Sequence, residues 1–343
     1  WSTGVVGQEI LSILAQRKFP VDSIQAFASP RSEGKKINFQ GQEIPCQVLK
    51  EGCFENVQMC FFDASDEVSK KWVPHAVQSG TWVIDNSATF RLDPEVLIGV
   101  PEVNQSAIEN WVKKNQNTES KIVSGPNCST AQLVVLLKPL QEAFGLKRVI
   151  VSTYQSTSGG GAGALKEFET QTQEVLQGKK VNPEAFPHQI AFNCIPQIGS
   201  FKEDGYTSEE WKMMNESRKI LDLPELPITV TTIRVPTRFS HAESVNVEFE
   251  KNFDLEQLYQ VIDNAPGLER IDQPDKAIYP LNESEDETLI PSSRGADTVH
   301  VGRIRKDFSI KEGAHFWIVG DNLRKGAALN AVQLGEIIYR MDQ

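Results

Sequence analysis

Short apolar segments alternate with amphipathic ones over the first third of the chain, and this alternation restricts the fold more than any other feature. Ile24–Ser29, Val57–Phe62 and Thr81–Asp85 are strand-like runs, whereas Gly7–Gln16 and Val68–Ser79 carry apolar residues at helical spacing. Strands that alternate with helices favour a parallel sheet covered by helices on both faces. The sequence therefore predicts an α/β domain at the N-terminal end.

From about Val149 the strand-like runs become longer, richer in β-branched residues and more often alternating, which indicates antiparallel pairing. These runs cover residues 148–154, 228–235, 244–249 and 298–304, and helical stretches cover 163–177, 208–221, 255–264 and 322–340. A length of 343 residues also exceeds one ordinary core. We predict a second, α+β domain with a mixed, largely antiparallel sheet.

Charge and composition argue against several classes of function. Basic residues number 35 and acidic residues 46, and the resulting net charge of −11 is a poor match to a phosphate backbone, so no nucleic-acid partner is expected. The longest apolar stretch, Ala131–Leu137, is far shorter than the ~20 residues of a membrane span. Five cysteines without CxxC pairing indicate free thiols in a reducing compartment and no metal site.

Two segments have the features of a dinucleotide site. Gly4 and Gly7 keep the spacing of the last two glycines of GxGxxG, where a helix N-terminus attracts a pyrophosphate. After the next strand-like run, Arg31 and Ser32 occupy the place where an acid usually selects NAD, and they suit the 2′-phosphate of NADP. An ordinary polar turn at Arg31 and Ser32 is the alternative.

The segment SGPNCST, residues 124–130, is the strongest single motif. Its Gly-Pro-Asn turn places Cys128 in the first turn of a helix, where the pKa of a thiol is lowered and backbone N–H groups face a developing oxyanion. A buried, inert cysteine is the alternative. The turn favours a nucleophile.

Four more residues offer complementary chemistry. Gln155 ends a strand before a glycine-rich loop and can orient a carbonyl, and Lys212 can bind phosphate. Arg234 offers a planar fork to a carboxylate, and His241 titrates near neutrality, as an acid–base partner of a thiol should. A flexible linker is the alternative for the loop after Gln155, and each of the other three alone is more often a surface ion pair or a satisfied polar residue. Together with the thiol they form a coherent catalytic set.

These motifs closely resemble those of the aspartate-β-semialdehyde dehydrogenases over essentially the whole chain. The matching segments are STGVVG at 2–7, Arg31-Ser32, SATFRLD at 87–93, VPEVN at 100–104, SGPNCST, YQSTSGGG at 154–161, EEWK at 209–212, the Arg234/His241 pair, VGRIRKD at 301–307 and GDNLRKGAALN at 320–330. The resemblance implies NADPH-dependent reduction of L-aspartyl-4-phosphate to the semialdehyde with release of phosphate, in lysine, methionine and threonine biosynthesis.

The resemblance also implies a role for each site residue. Cys128 would be the acyl-thioester nucleophile, His241 the acid and base, and Gln155 the residue that positions the intermediate. Substrate would contact Arg234, Glu209 (or its neighbour Glu210), Lys212, Arg91 and Asn127. The cofactor NADP(H) would contact Thr3, Gly4, Val5, Val6, Arg31, Ser32, Ser158, Gly159 and Asn322.

The domain organisation follows from the same resemblance. A Rossmann-type NADP-binding domain would cover 1–127, a catalytic and dimerisation domain 128–321, and a C-terminal helix, 322–343, would return to the first domain. We expect a homodimer in the cytoplasm, or in a plastid if the source is a plant or alga. Trp1 stands where the motif has its first glycine, so the first strand is expected to be missing. Asp63 and Asp66 bring acids near the cofactor phosphate, which weakens the expectation of NADP affinity.

Two other functions compete with this interpretation. An enzyme similar to N-acetyl-γ-glutamyl-phosphate reductase would share the thiol, the acyl phosphate and the cofactor, but it would not be expected to combine Asn127-Cys128-Ser129 with Gln155-Ser156-Thr157. A catalytically silent paralogue, acting as a binding or assembly subunit, would not need the intact catalytic set.

Overall fold

The computed structural model describes residues 2–118 and 120–342, so Trp1 lies outside it. In chain order the elements are α1 (Val5–Gln16), β1 (Ala26–Phe27), β2 (Lys36–Phe39), β3 (Gln42–Gln47), β4 (Met59–Phe62), α2 (Asp66–Gln78), β5 (Trp82–Asp85), β6 (Leu97–Ile98), α3 (Pro101–Asn115), β7 (Ile122–Ser124), α4 (Cys128–Phe144), β8 (Leu146–Gln155), α5 (Gly161–Leu176), α6 (Ser208–Leu221), β9 (Ile228–Arg234), β10 (His241–Phe249), α7 (Leu255–Asp263), β11 (Leu268–Arg270), β12 (Val299–Lys306), β13 (Gly313–Gly320) and α8 (Leu329–Met341). A π-helical turn, Arg324–Ala328, precedes α8.

The chain forms two compact units. Residues up to Asn127 pack with those from Ala327 onward, and Cys128–Gly326 form the second unit. The resemblance predicts that the chain rejoins the first domain at Asn322. In the structure it rejoins the first unit at Ala327, five positions later. The reason is that the Asn322 amide bonds to Ser158 and Ser240, which belong to the second unit.

The first unit contains a parallel four-stranded sheet, in the order β4-β5-β7-β6, and a small sheet in the order β1-β3-β2. Helix α8 supplies much of its core: Leu334 and Ile338 pack with Trp82 and Ile84, and Val332 packs against α1. Burial of each such side chain is worth roughly 1.5–3 kcal/mol, so the C-terminal helix stabilises this unit.

β1 and β4 are edge strands of different sheets, and both border a cavity of about 600 Å³. Apolar side chains line most of it, among them Leu11, Phe27, Phe61 and Ile338. Among the described residues no strand precedes α1.

The second unit is built on a six-stranded sheet in the order β11-β12-β13-β10-β8-β9. The β8–β10, β10–β13 and β12–β13 pairs are antiparallel, and the β8–β9 and β11–β12 pairs are parallel. The predicted fold class, an α/β unit with an α+β unit on a mixed, largely antiparallel sheet, is confirmed. In the part of the chain that the structure describes, no helix is long and apolar enough to cross a membrane.

Candidate active site

Three polar residues of the second unit stand in one row across neighbouring strands. Antiparallel pairing places His241 of β10 opposite Gln155 of β8, and parallel pairing places Gln155 opposite Arg234 of β9. The row continues to Gly320 of β13. The side chains of Gln155, Arg234 and His241 are all buried. Strand pairing thus brings together residues that are far apart in the sequence, as the catalytic hypothesis requires.

Cys128 is the first residue of α4 and is partly exposed. Burial lowers the pKa of the Arg234 guanidinium, whereas the nearby Cys128 and Glu209 raise it. The same positive charge stabilises a thiolate at Cys128. The backbone passes close to this thiol, because a Cβ atom added to Gly326 would lie 2.9 Å from that of Cys128.

His241 is buried, and its hydrogen bonds determine which ring nitrogen carries the proton. The backbone N–H of Ser156 donates to Nδ1 at 3.1 Å, and the hydroxyl of the same residue lies 3.1 Å from that nitrogen. Because a backbone amide can only donate, the neutral ring carries its proton on Nε2. Burial, followed by the charge of Arg234, lowers the pKa of His241 to about 3. The imidazole is therefore neutral at physiological pH.

Two buried nitrogens of the row lack hydrogen-bond partners within residues 2–118 and 120–342: Nε2 of Gln155 and Nε2 of His241. A buried polar group left unpaired costs about 1–3 kcal/mol. Gly159 leaves the space beside His241 and Arg234 open, because a Cβ atom there would lie 3.0 Å from His241 Nε2 and 2.9 Å from Arg234 Nη1. These donors are suited to a ligand carbonyl or oxyanion.

Adjacent acids on α6 have different roles. Glu210 accepts from the backbone N–H groups of Thr232 at 2.9 Å and Thr207 at 2.6 Å, and it closes the capping box of the helix. Glu209 instead lies 3.5 Å from Lys212 Nζ. The sequence left the choice between the acids open, and the bonds of Glu210 favour Glu209 as the substrate residue.

The first unit brings the two halves of the predicted dinucleotide site together. Ser2 N donates to Phe27 O at 3.0 Å, so the turn before α1 meets the end of β1, just ahead of Arg31 and Ser32. The N-cap of α1 is Gly4, and its first turn holds no acidic residue. A glycine cap leaves the first N–H groups open to an anion, so these residues fit a dinucleotide phosphate.

Two further residues of the first unit that the sequence singled out, Arg91 and Asp66, form hydrogen bonds with backbone groups. Arg91 is buried, and it donates from Nε to Gly125 O at 2.9 Å and from Nη2 to Asn86 O at 2.5 Å, which supports the turn that leads to Asn127. Asp66 accepts from Ala88 N at 2.8 Å.

Family comparisons agree with this geometry. Residues 2–111 match the model for "Semialdehyde dehydrogenase, NAD binding domain", and residues 137–325 match "Semialdehyde dehydrogenase, dimerisation domain". Aspartate-semialdehyde dehydrogenases from Aquifex aeolicus and Bacillus subtilis are 43% and 40% identical, over 99% of this chain and 96% of theirs. The chain belongs to the aspartate-semialdehyde dehydrogenase family. The resemblance inferred from the motifs is confirmed.

Solved structures of the aspartate-semialdehyde dehydrogenase family share the fold. Aspartate semialdehyde dehydrogenase II of Vibrio cholerae, solved in complex with ASA, matches with a TM-score of 0.91 at 41% identity, over 99% of this chain and 96% of its own. The Candida albicans enzyme, solved with NADP, matches with a TM-score of 0.75 at 25% identity, over 99% and 97%.

Two residues predicted to contact the family's cofactor are bonded to protein groups. Asn322 accepts from Ser240 N at 2.9 Å and donates to the Ser158 hydroxyl at 3.1 Å. Ser156, which fixes the tautomer of His241, is not among the site residues predicted from the sequence. The signal was available, because Ser156 directly follows Gln155 at the end of a predicted strand.

Proposed function

We propose that the chain reduces L-aspartyl-4-phosphate to L-aspartate-4-semialdehyde with NADPH, releasing phosphate. One observation carries the proposal: Gln155, Arg234 and His241 share one row, and Arg234 lies within electrostatic range of Cys128 at a helix N-terminus. Family membership favours this reaction over that of the acetylglutamyl-phosphate reductases. The complete residue set also argues against a silent paralogue.

The chemistry proceeds in two stages on one thiol. The Cys128 thiolate attacks the acyl carbon, a C–S bond forms, and the bond to phosphate breaks with its electron pair leaving on phosphate. The unpaired Nε2 donor of Gln155 can hold the carbonyl oxygen. When bound, the nicotinamide supplies the hydride that reduces the thioester carbonyl. His241 Nε2–H donates a hydrogen bond to the resulting oxyanion and stabilises it, because the neutral ring cannot give up this proton without becoming an anion. The oxyanion then collapses, the C–S bond breaks with its electron pair on sulfur, and the aldehyde forms.

The substrate residues divide by charge. Arg234 would hold the α-carboxylate and Glu209 the amino group, and Arg91, Asn127 and Lys212 would bind the phosphate. This assignment follows the family resemblance, and the burial of Arg234 supports it, because a desolvated guanidinium binds a carboxylate strongly.

Replacing Arg234 by lysine tests whether this residue holds the α-carboxylate of the substrate. We expect KM for the semialdehyde to rise about tenfold to a hundredfold, with a smaller change in kcat, because a single ammonium cannot reproduce a bidentate fork. Steady-state kinetics with semialdehyde as the varied substrate measure it. Arg270→Lys, on a surface ion pair with Asp263, is the matched control. An unchanged KM in Arg234→Lys would remove the residue from substrate binding.

The test of the whole function is NADPH formation from semialdehyde, phosphate and NADP, compared with NAD in parallel. Phosphate-dependent turnover with a preference for NADP is expected. Arg31→Ala should raise KM for NADP about tenfold and leave that for NAD unchanged, because only NADP carries the 2′-phosphate. Arg17→Ala, on a surface pair with Glu336, is the control. Turnover that does not depend on the phosphate concentration would refute the proposed reaction.

Assembly and location complete the proposal. The match of residues 137–325 to a dimerisation domain supports a homodimer formed through the second unit. All five cysteines, including the proposed nucleophile, lie outside disulfide bonds, which supports a reducing, cytoplasmic setting.

A further inference from the structure

A glutamine on the nucleophile helix reaches the strand that carries His241. Gln132 lies four residues, about one helical turn, after Cys128, on the same face of α4. Its Nε2 donates to the backbone oxygen of His241 at 3.2 Å and to Glu243 Oε1 at 2.8 Å. One amide thus links the helix of the proposed nucleophile to the strand that carries His241.

The neighbouring strand leaves room for this amide. Gly320 of β13 lies opposite His241, and a Cβ atom there would sit 2.6 Å from Gln132 Oε1. Both Gln132 and Glu243 are buried, at 2% and 0% exposure. The contact between Gln132 and Glu243 is therefore buried. Glycine at position 320 leaves the space that the Gln132 amide occupies.

Glu243 is unusual because it is an acid with an incomplete set of partners. Its Oε2 has no hydrogen-bond partner in the described part of the chain. Burial raises the pKa of Glu243 well above its usual range, against the effect of the Gln132 bond. The residues opposite it in the sheet, Thr153 and Ile318, carry no charge, and His241 is the titratable neighbour on its own strand. Burial thus disfavours the charged form of this carboxyl beside the imidazole.

We propose that Gln132 and Glu243 act as a pair of positioning residues that hold His241 at a fixed distance and orientation from Cys128. The pair touches neither substrate nor cofactor in this scheme. Its effect passes through the backbone of His241, so it concerns how well the Nε2–H group is placed to stabilise the oxyanion rather than substrate affinity. The inference rests on the proposed function, which supplies the reaction to be measured.

Substitutions at both positions test the pair. Gln132→Leu and Glu243→Leu should each lower kcat about tenfold or more while KM changes less than twofold, because substrate contacts are untouched. The double variant should be no worse than either single variant, since both break the same link. Glu243→Gln keeps the volume and the acceptor oxygen, and it should restore most of the rate with an unchanged pH profile.

Controls separate positioning from a merely structural role. Gln171 of α5 is also buried and bonds a glutamate, Glu167, at 2.8 Å. Gln171→Leu should lower the melting temperature about as much and leave kcat per active site unchanged, with active sites counted by alkylation of Cys128.

Three results would overturn the inference: an unchanged kcat in Gln132→Leu, additive losses in the double variant, or a shifted pH profile in Glu243→Gln. A wild-type chain without phosphate-dependent turnover would instead refute the proposed function. Retained Cys128 alkylation together with wild-type turnover keeps the two failures distinguishable.

Discussion

Cys128→Ser is expected to lower phosphate-dependent turnover by at least about three orders of magnitude. A serine hydroxyl ionises far less readily than a thiol, so Arg234 and the helix N-terminus would face a neutral group instead of a thiolate. The oxygen ester that a serine could form is also a poorer hydride acceptor than a thioester. Steady-state NADPH formation measures the loss, and mass spectrometry after incubation with aspartyl phosphate detects the acyl-enzyme.

Cys194 provides the matched control, because it is an exposed free thiol outside the proposed site. Cys194→Ser should keep full turnover. With iodoacetamide and peptide mapping, substrate should protect Cys128 from alkylation and leave the labelling of Cys194 unchanged. Substantial turnover in Cys128→Ser, or an equal loss in both variants, would contradict the nucleophile assignment.

His241→Asn is expected to slow turnover by about 10²–10³-fold, the usual effect of removing one hydrogen-bond donor to a developing oxyanion. Cys128 should remain open to alkylation, because Arg234 provides the nearby positive charge. The pH dependence has a definite sign. The pKa of His241 is about 3 in the folded chain and near 6.5 in the unfolded chain. Between these values the unfolded chain binds a proton that the native ring does not bind. The free energy of unfolding should therefore fall as the pH drops from about 6.5 towards 3.

The measurements are kcat at neutral pH and denaturant unfolding between pH 4 and 7. His241→Asn should lose part of the acid sensitivity of the wild type. His300→Asn is the control for the rate, since His300 is also buried with a lowered pKa but bonds the Ser293 hydroxyl instead of Ser156. If His241→Asn kept the wild-type rate, the residue would have no place in the mechanism.

Local patterns sufficed for much of the fold. The helix predicted at 208–221 and the strand predicted at 228–235 correspond to α6 and to β9, Ile228–Arg234. The helix predicted over 322–340 was only partly right, because a π-helical turn occupies Arg324–Ala328 before α8 begins. There the Asp321 carboxylate accepts from Leu323 and Arg324 N–H groups, a contact that periodicity does not encode.

The sequence proposes residues for the site but not the contacts that arrange them. Motifs predict Cys128, Gln155 and His241 as catalytic residues, whereas the preference for Glu209 over Glu210 depends on a hydrogen bond that Thr232 donates to Glu210. Gln132 passed unnoticed because its partners lie more than one hundred residues away, at 109 and 111 positions. Contacts of this kind arise from strand pairing and helix packing, which no short window of sequence specifies.

Because His241, Gln155 and Arg234 share one row, their assembly is a property of how the strands are aligned. Sliding one strand by a single residue would turn its member of the row to the opposite side of the sheet. Catalytic competence should then behave as an all-or-none signal during refolding. A chain with native strand content but misaligned pairing would look folded by circular dichroism and be silent in the assay. The rate at which turnover recovers would thus report the final alignment of β8, β9 and β10.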